Sequence, residues 1–195
     1  WDGLGVITHS RCLPEFCVMS HPFTHSSLIL AGGQGSRLAG RDKGLMVFNG
    51  EPVAAHLSRL LRGLGGELLI SCNRNQAVYA AWADRLVVDD EPGFFGPLAG
   101  ILAGLRACTT SHLLVLPCDM PKVDQALLQE LLLCAATQPQ RPCMLRTGDT
   151  WQPLLCVIPR ALLPQLEAAW QSGQRSPLRW QLAQQSGFLA LAEDD

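Results

Sequence analysis

One stretch, Ser27 to Gly44, constrains this chain more than any other part of it. Its first residues, Leu28-Ile29-Leu30, form an apolar run typical of a buried strand, and a glycine-rich loop follows. Such a loop can place backbone N–H groups against a polyanion because no side chains stand in the way. It also carries Arg37, Arg41 and Lys43, which can add positive charge. We expect it to bind a nucleoside triphosphate.

Two familiar phosphate loops are excluded by their spacing. The P-loop needs Lys-Ser/Thr after its second glycine, but Arg41-Asp42 follows Gly40. The dinucleotide-binding fingerprint G-x-G-x-x-G begins at Gly33, but Leu38 occupies the position of its third glycine. The loop is therefore of a third kind, with its lysine well past the turn.

The composition predicts a globular enzyme-sized domain without an extended charged surface. Hydrophobic residues make up 48% and charged residues 16%, and the net charge of −2 gives no indication of nucleic-acid or membrane binding. No apolar run reaches the roughly 18 residues of a membrane span. The eight cysteines show no C-x-x-C spacing, and we expect buried free thiols in a reducing cytoplasm.

Residues 1–26 show neither a clear hydrophobic period nor a signal-peptide pattern, so we expect a tail outside the fold. His9, His21 and His25 are too irregularly spaced for a metal site and are assigned to that tail. Met19 is the only methionine before the loop, and we expect it to be the natural start. Mass spectrometry of the natively expressed protein tests this, and a mature N-terminus before Met19 would contradict it.

The remainder, 27–195, is predicted to be one domain with alternating strands and helices. We expect strands at 68–70, 86–88 and 112–116, and helices after Pro52 and at 78–83, 98–108 and 123–136. This alternation predicts an α/β fold, a Rossmann-like, doubly wound, mostly parallel sheet with helices on both faces. A strand–turn–strand unit at 143–158, helices at 160–170 and 177–185, and a last strand at 188–191 follow. We assign 27–136 to nucleotide binding and 137–195 to an acceptor-facing part.

Polar residues follow several predicted strands, at the edge where ligands bind in such sheets. Asp119 follows the apolar strand 112–116, and Mg²⁺ shared with triphosphate oxygens would supply a partner for its carboxylate. The alternative role is capping of the helix after Pro121. Asn73 and Asp90 can hold the base or ribose, although a role as turn formers suits them nearly as well.

Four motifs in order carry a family resemblance over Leu28 to Pro159. They are L-A-G-G-x-x-x-R-x-x-G-x-D-K-G at 30–44, F-N-G-E-P-V at 48–53, G-P-L-A-G at 96–100 and P-C-D-M-P at 117–121. Together they resemble the molybdenum cofactor guanylyltransferases, a branch of the Rossmann-like nucleotidyltransferases. The resemblance makes Asp119 the metal-binding aspartate. Arg37 and Lys43, on a loop that could otherwise be a solvated surface, would neutralise the phosphates and the leaving pyrophosphate.

The resemblance also implies the reaction, the substrates and the partners. A phosphate oxygen of molybdenum-molybdopterin would attack the α-phosphorus of GTP, releasing pyrophosphate, with molybdoenzymes and other cofactor-biosynthesis proteins as further partners. The candidate catalytic residues are Arg37, Lys43 and Asp119. The candidate nucleotide-binding residues are Leu30, Ala31, Gly32, Lys43, Ser71, Asn73, Asp90 and Asp119. The one expected metal is Mg²⁺, bound by Asp119.

Two departures from the family pattern stand out. The family's N-x-N-R at the end of the second strand is Ser71-Cys72-Asn73-Arg74 here, and a hydroxyl cannot offer the paired donor and acceptor of an amide. The family's closing T-P-E-E-L segment is absent, so the ending is either truncated or diverged. The alternatives that stay open are a molybdopterin cytidylyltransferase, a sugar-phosphate nucleotidyltransferase and a GTP-binding module without turnover.

Overall fold

The computed structural model describes residues 23–32, 41–89 and 96–193. Its strands are β1 (His25–Leu30), β2 (Val47–Phe48), β3 (Glu51–Pro52), β4 (Leu68–Ser71), β5 (Arg85–Val87), β6 (His112–Pro117), β7 (Cys143–Thr147), β8 (Thr150–Pro159) and β9 (Gly187–Leu191). Its α-helices are α1 (Val53–Arg62), α2 (Gln76–Tyr79), α3 (Pro97–Ala107), α4 (Gln125–Thr137), α5 (Leu163–Gln171) and α6 (Pro177–Ala183). Short 3₁₀ turns cover Lys43–Leu45 and Arg160–Leu162.

Seven of these strands form one sheet in the order β5-β4-β1-β6-β8-β7-β9. The strands β5, β4, β1 and β6 are parallel, whereas β8 is antiparallel to both β6 and β7. Since β9 is parallel to β7, β8 is the only strand of this sheet that runs against the rest. The carboxyl ends of β5, β4, β1 and β6 therefore meet at one edge, which is called the nucleotide edge below.

The alternation of apolar residues along the strands builds two separate cores. Ile29 of β1 faces a cluster that includes the buried faces of α1 and α4. Leu28 and Leu30 face a second cluster that includes α3, Leu166 of α5 and Trp180 of α6. Each face of the sheet thus buries its apolar side chains under helices. The expected α/β fold, a mostly parallel sheet with helices on both faces, is confirmed.

The sheet begins earlier than the predicted tail boundary. His25 and Ser26 are buried in β1, and His25 pairs in register with His112. Phe23, two residues before the start of β1, stacks on the His112 ring. The assignment of His25 to a tail was therefore wrong. Residues 25–27 carry no apolar side chain that would indicate a strand, but their backbone pairs with β6. Residues 1–22, including His9, Met19 and His21, lie outside the described residues.

Several boundaries also differ from the predicted ones. The helix predicted at 78–83 is α2, which begins at Gln76 after Asn75 in a left-handed conformation and ends at Tyr79. The helix predicted from Arg160 begins with a 3₁₀ turn and becomes α-helical at Leu163. The other predicted strands and helices from 68 to 191 are confirmed to within a few residues.

The helices and the cysteines bear on two further expectations, one about membrane spans and one about free thiols. None of the helices in the described part of the chain has the length and apolar character that a membrane crossing needs. The cysteines in that part are free thiols, and all of them except Cys134 are buried, namely Cys72, Cys108, Cys118, Cys143 and Cys156. The expectation of buried free thiols is confirmed for these residues.

Candidate active site

The start of the glycine loop lies against the ends of two neighbouring strands. The Ala31 N–H donates to the Ser71 carbonyl at 2.9 Å, which extends the β1–β4 pairing by one residue. A Cβ added at Gly32 would lie 3.5 Å from the Asn73 amide nitrogen. The Asn73 amide in turn donates to Asp89 at 3.1 Å. The loop after β1 and the residues after β4 and β5 therefore meet at the nucleotide edge, as the sequence predicted.

Ser71 and Asn73 hold different positions at this edge. Ser71 is buried, and its hydroxyl lies close under Gly100 of α3, where an added Cβ would come within 2.8 Å of the oxygen. Asn73 is only half-buried. The geometry therefore makes Asn73 the better placed of the two for contact with a ligand.

Asp119 lies two residues beyond the end of β6, with an exposed side chain. Within the described residues it forms no hydrogen bond or ion pair. The N-cap of α4 is Asp124, which accepts from the Leu127 N–H at 2.8 Å. Asp119 therefore does not cap that helix.

Lys43 lies in the 3₁₀ turn that follows the glycine loop, and it is partly exposed. It forms no hydrogen bond or ion pair with the described residues. Burial raises the pKa of the Cys118 thiol, Asp42 and Asp119 add to the rise, and Lys43 opposes it.

The structure adds two residues that sequence reasoning missed, Asp42 and Tyr79. The Asp42 carboxylate accepts from the Gly44 N–H and caps the turn that carries Lys43. It also accepts from the hydroxyl of the fully buried Tyr79. The order Asp-Lys-Gly before a turn is a signal for the cap. Nothing in the sequence indicates its partner 37 residues away.

The described histidines are not placed as bases at this edge. His56 lies on α1 with Glu51 3.5 Å away, and His112 begins β6 at the opposite edge of the sheet. This agrees with their predicted places inside a helix and a strand. Arg37 and Asp90 lie outside the described residues, so their predicted roles stay predictions.

Comparisons with a family model and with known proteins indicate the same family. The model of the MobA-like NTP transferase domain matches residues 27–186. The molybdenum cofactor guanylyltransferase of Pseudomonas fluorescens strain Pf0-1 is 57% identical over 154 residues, which cover 79% of this chain and 77% of that protein. The chain belongs to the MobA-like NTP transferase family. It is therefore a nucleotidyltransferase.

Solved structures of lower identity share the fold. The molybdopterin-guanine dinucleotide biosynthesis protein A of Archaeoglobus fulgidus superposes with a TM-score of 0.68 at 23% identity, covering 85% of this chain and 83% of that one. A manganese complex of Rv0371C from Mycobacterium tuberculosis gives a TM-score of 0.59 at 16% identity, covering 87% and 89%. These structures share the fold observed here.

Proposed function

We propose that this nucleotidyltransferase transfers GMP from GTP to the phosphate of molybdenum-molybdopterin, forming the molybdopterin guanine dinucleotide cofactor and pyrophosphate. The observation that carries the proposal is the common edge of the sheet. Gly32 and Asp119 follow the strand ends Leu30 and Pro117, which pair in register. The turn that carries Lys43 is bonded through Asp42 to Asn75 and Tyr79 beyond β4. This arrangement suits transfer of a nucleotidyl group. The choice of guanine and of the pterin acceptor rests on the relatives that carry the guanylyltransferase name.

Each site residue has a part in the proposal. Backbone N–H groups of the loop that starts at Leu30, Ala31 and Gly32 cradle the phosphates, and Lys43 with Arg37 neutralises them. Asn73 and Asp90 hold the base or the ribose, with Ser71 behind them. Holding the triphosphate in line with the acceptor phosphate would lower the entropic part of the barrier.

The residues present fit a bound Mg²⁺. The described residues contain no group of three or more His, Cys, Asp or Glu side chains that could hold a metal by themselves. Mg²⁺ is usually bound by one or two carboxylates, with water and substrate phosphates completing the shell, and the open Asp119 meets that need. Bound there, Mg²⁺ would neutralise charge on the triphosphate.

The reaction needs no general base from this chain. An oxygen of the acceptor phosphate forms a bond to the α-phosphorus of GTP, and the bond from that phosphorus to the bridging oxygen breaks. Pyrophosphate leaves with the electron pair. Because the acceptor phosphate is already ionised at neutral pH, no proton has to be removed, which agrees with the absence of a histidine from the described part of the site.

Pyrophosphate release with molybdenum-molybdopterin and Mg²⁺, compared for GTP, CTP and ATP, tests the function directly. We expect release with GTP and little with the other two. A preference for CTP would make the protein a cytidylyltransferase instead. GTP binding without release from any nucleotide would reduce it to a binding module.

Replacing Asp119 with Asn tests the metal assignment. We expect turnover to fall by about 10²–10³-fold, because an uncharged amide is a poor partner for Mg²⁺, while GTP still binds. Pyrophosphate release at saturating GTP gives turnover, and titration calorimetry gives affinity. Because Asp119 is exposed, the melting temperature should not change. Turnover at the wild-type rate would remove Asp119 from the metal site.

We also propose the cytoplasm as the place of action, with handover of the product to molybdoenzymes and other cofactor-biosynthesis proteins. The free thiols of the described residues support this, since thiols stay reduced in that compartment.

A further inference from the structure

The Asp42 carboxylate is buried and accepts hydrogen bonds from several donors. Its side chain is 7% exposed. It accepts from the Gly44 N–H at 3.2 Å, from the Asn75 amide at 2.9 Å and from the Tyr79 hydroxyl. The Arg74 guanidinium lies 3.9 Å away. A buried carboxylate is costly without hydrogen-bond partners, and residues that follow β4 supply two of those of Asp42.

These partners join two parts of the site that are far apart in sequence. Gly44 belongs to the turn after the glycine loop, whereas Asn75 and Tyr79 belong to the segment between β4 and β5. That segment also contains Asn73, beside Gly32. Asp42 therefore ties the turn that carries Lys43 to the strand end that faces the nucleotide.

Close packing at Gly44 fixes the same turn a second time. A Cβ at this position would overlap the Tyr79 hydroxyl and lie 2.9 Å from ring carbon Cε1. Tyr79 is fully buried and packs edge-on against Trp82, with ring centroids 5.9 Å apart. Because the ring cannot move away easily, the backbone on both sides of Lys43 is held in place.

The same contacts keep Lys43 available. An aspartate next to a lysine can pair with it, but the oxygens of Asp42 are occupied by Gly44, Asn75 and Tyr79. The side chain of Lys43 has no ion-pair partner among the described residues.

We propose that Asp42 and Tyr79 are positioning residues, which hold the ammonium of Lys43 against the triphosphate without touching the substrate themselves. The proposal rests on the proposed function, since Lys43 is the phosphate contact there. Burial and the hydrogen bond to Asp42 raise the pKa of the Tyr79 hydroxyl, so it stays a donor at any pH of assay.

A double-mutant cycle separates positioning from general stability. The single variants are Asp42→Asn, Tyr79→Phe and Lys43→Ala. The double variants combine Lys43→Ala with Asp42→Asn or with Tyr79→Phe, and all of them are made in the full chain. If Asp42 and Tyr79 act through Lys43, each lowers kcat/KM for GTP by about tenfold alone, because misplacement of a catalytic group has effects of this size. In the Lys43→Ala background each has an effect of less than about twofold.

Asp84→Asn is the matched control. Asp84 accepts from the Leu68 N–H at 2.8 Å and from Arg62 at 2.7 Å, but it lies before β5, at the edge of the sheet opposite the nucleotide. It should change the melting temperature without changing kcat/KM for GTP. Tyr79→Phe keeps the ring against Gly44, so it tests the hydroxyl even where Asp42→Asn folds poorly.

The outcomes either support or overturn the proposal. Equal losses from Asp42→Asn and Tyr79→Phe with and without Lys43 would show a structural role only, and no loss would overturn it outright. If the wild-type protein releases no pyrophosphate, the proposed function fails. The same cycle is then read from the Kd of GTP·Mg²⁺ by calorimetry, where coupling to Lys43 still supports positioning and additivity still overturns it.

Discussion

Among single residues, His112 shows how a buried titratable group ties stability to pH. Its Nε2 lies 2.8 Å from the Pro139 carbonyl and its Nδ1 lies 2.8 Å from the Ser111 hydroxyl. Phe23 stacks on the ring with centroids 3.8 Å apart. Burial lowers the pKa of His112, although the bond to Pro139 acts the other way. The folded protein therefore favours the neutral imidazole.

This direction fixes the sign of the pH dependence. Below the ordinary pKa of about 6.5 the unfolded chain binds a proton that the folded chain does not. The stability contribution is full above that pH and is lost as the pH falls towards the lowered pKa of the folded state. We expect His112→Gln to flatten the fall in the free energy of unfolding between pH 7.5 and 5.5, measured with urea.

His56→Gln is the control for this experiment, because His56 lies partly exposed on α1. It should leave the steep part of the wild-type curve unchanged. A His112→Gln curve as steep as the wild-type one would assign the pH dependence to other groups.

Among the helices, α3 packs on the sheet through its glycines. A Cβ at Gly100 would lie 2.9 Å from Leu30, and one at Gly104 would lie 2.5 Å from Leu28. These glycines therefore let the helix pack closely on the sheet. Since Leu28 is fully buried, it has little room to move away.

Gly104→Ala therefore reverses the usual effect of alanine in a helix. Alanine is favoured there by about 1 kcal/mol, but overpacking typically destabilises by about 1–3 kcal/mol, so we expect a net loss in urea unfolding. Leu28→Ala alone should destabilise by about 2–5 kcal/mol. The double variant should lose less than the total of the two, because the new methyl fills space left by Leu28. Additive losses would mean that the two positions do not clash.

The length and position of helices show what local pattern can and cannot predict. The apolar spacing of α1, α3 and α4 placed them within a few residues, because each has one long face buried in a core. The four-residue α2 was placed too late. It begins at the left-handed residue Asn75, and its role is set by the contact between Tyr79 and Asp42 rather than by a period of its own.

Over the whole molecule, residues are most buried in the central strands of the sheet and more exposed in its two edge strands. Every residue of β1 and β6 is buried, whereas β5 and β9 at the two edges alternate or are partly exposed. Strands with few buried contacts open locally, and central strands open only when the whole domain unfolds.

Hydrogen exchange should follow this gradient. We expect the amides of Leu113–Leu116 to exchange last, with a free energy equal to that of global unfolding. Those of β9 should exchange much earlier, by local opening. Mass spectrometry of peptides after timed exchange, compared with urea unfolding, measures both. Equal protection of β9 and β6 would instead indicate that the sheet opens as one unit.

The layout of the sheet could be predicted only in part. Alternation of strands and helices to residue 136 predicted the parallel half, and polar residues after its strands predicted the nucleotide edge. The sequence also predicted two strands around Thr147–Thr150. It did not indicate that β8 rather than β7 pairs with β6, because both runs are apolar and either could cover that edge. The Asp42–Tyr79 contact could not be predicted for a similar reason, since it depends on tertiary packing.

The pairing of β1 with β6 has a consequence for synthesis on the ribosome. β1 can pair with β4 as soon as Leu68–Ser71 has emerged, but its other neighbour begins at His112. Until then the nascent chain carries an apolar strand with one bare edge, which is a template for wrong pairing. A pause in translation while β6 is still inside the ribosome should therefore raise aggregation, and one after β6 has emerged should not. Nascent chains arrested at these two points and compared by sedimentation would show the difference.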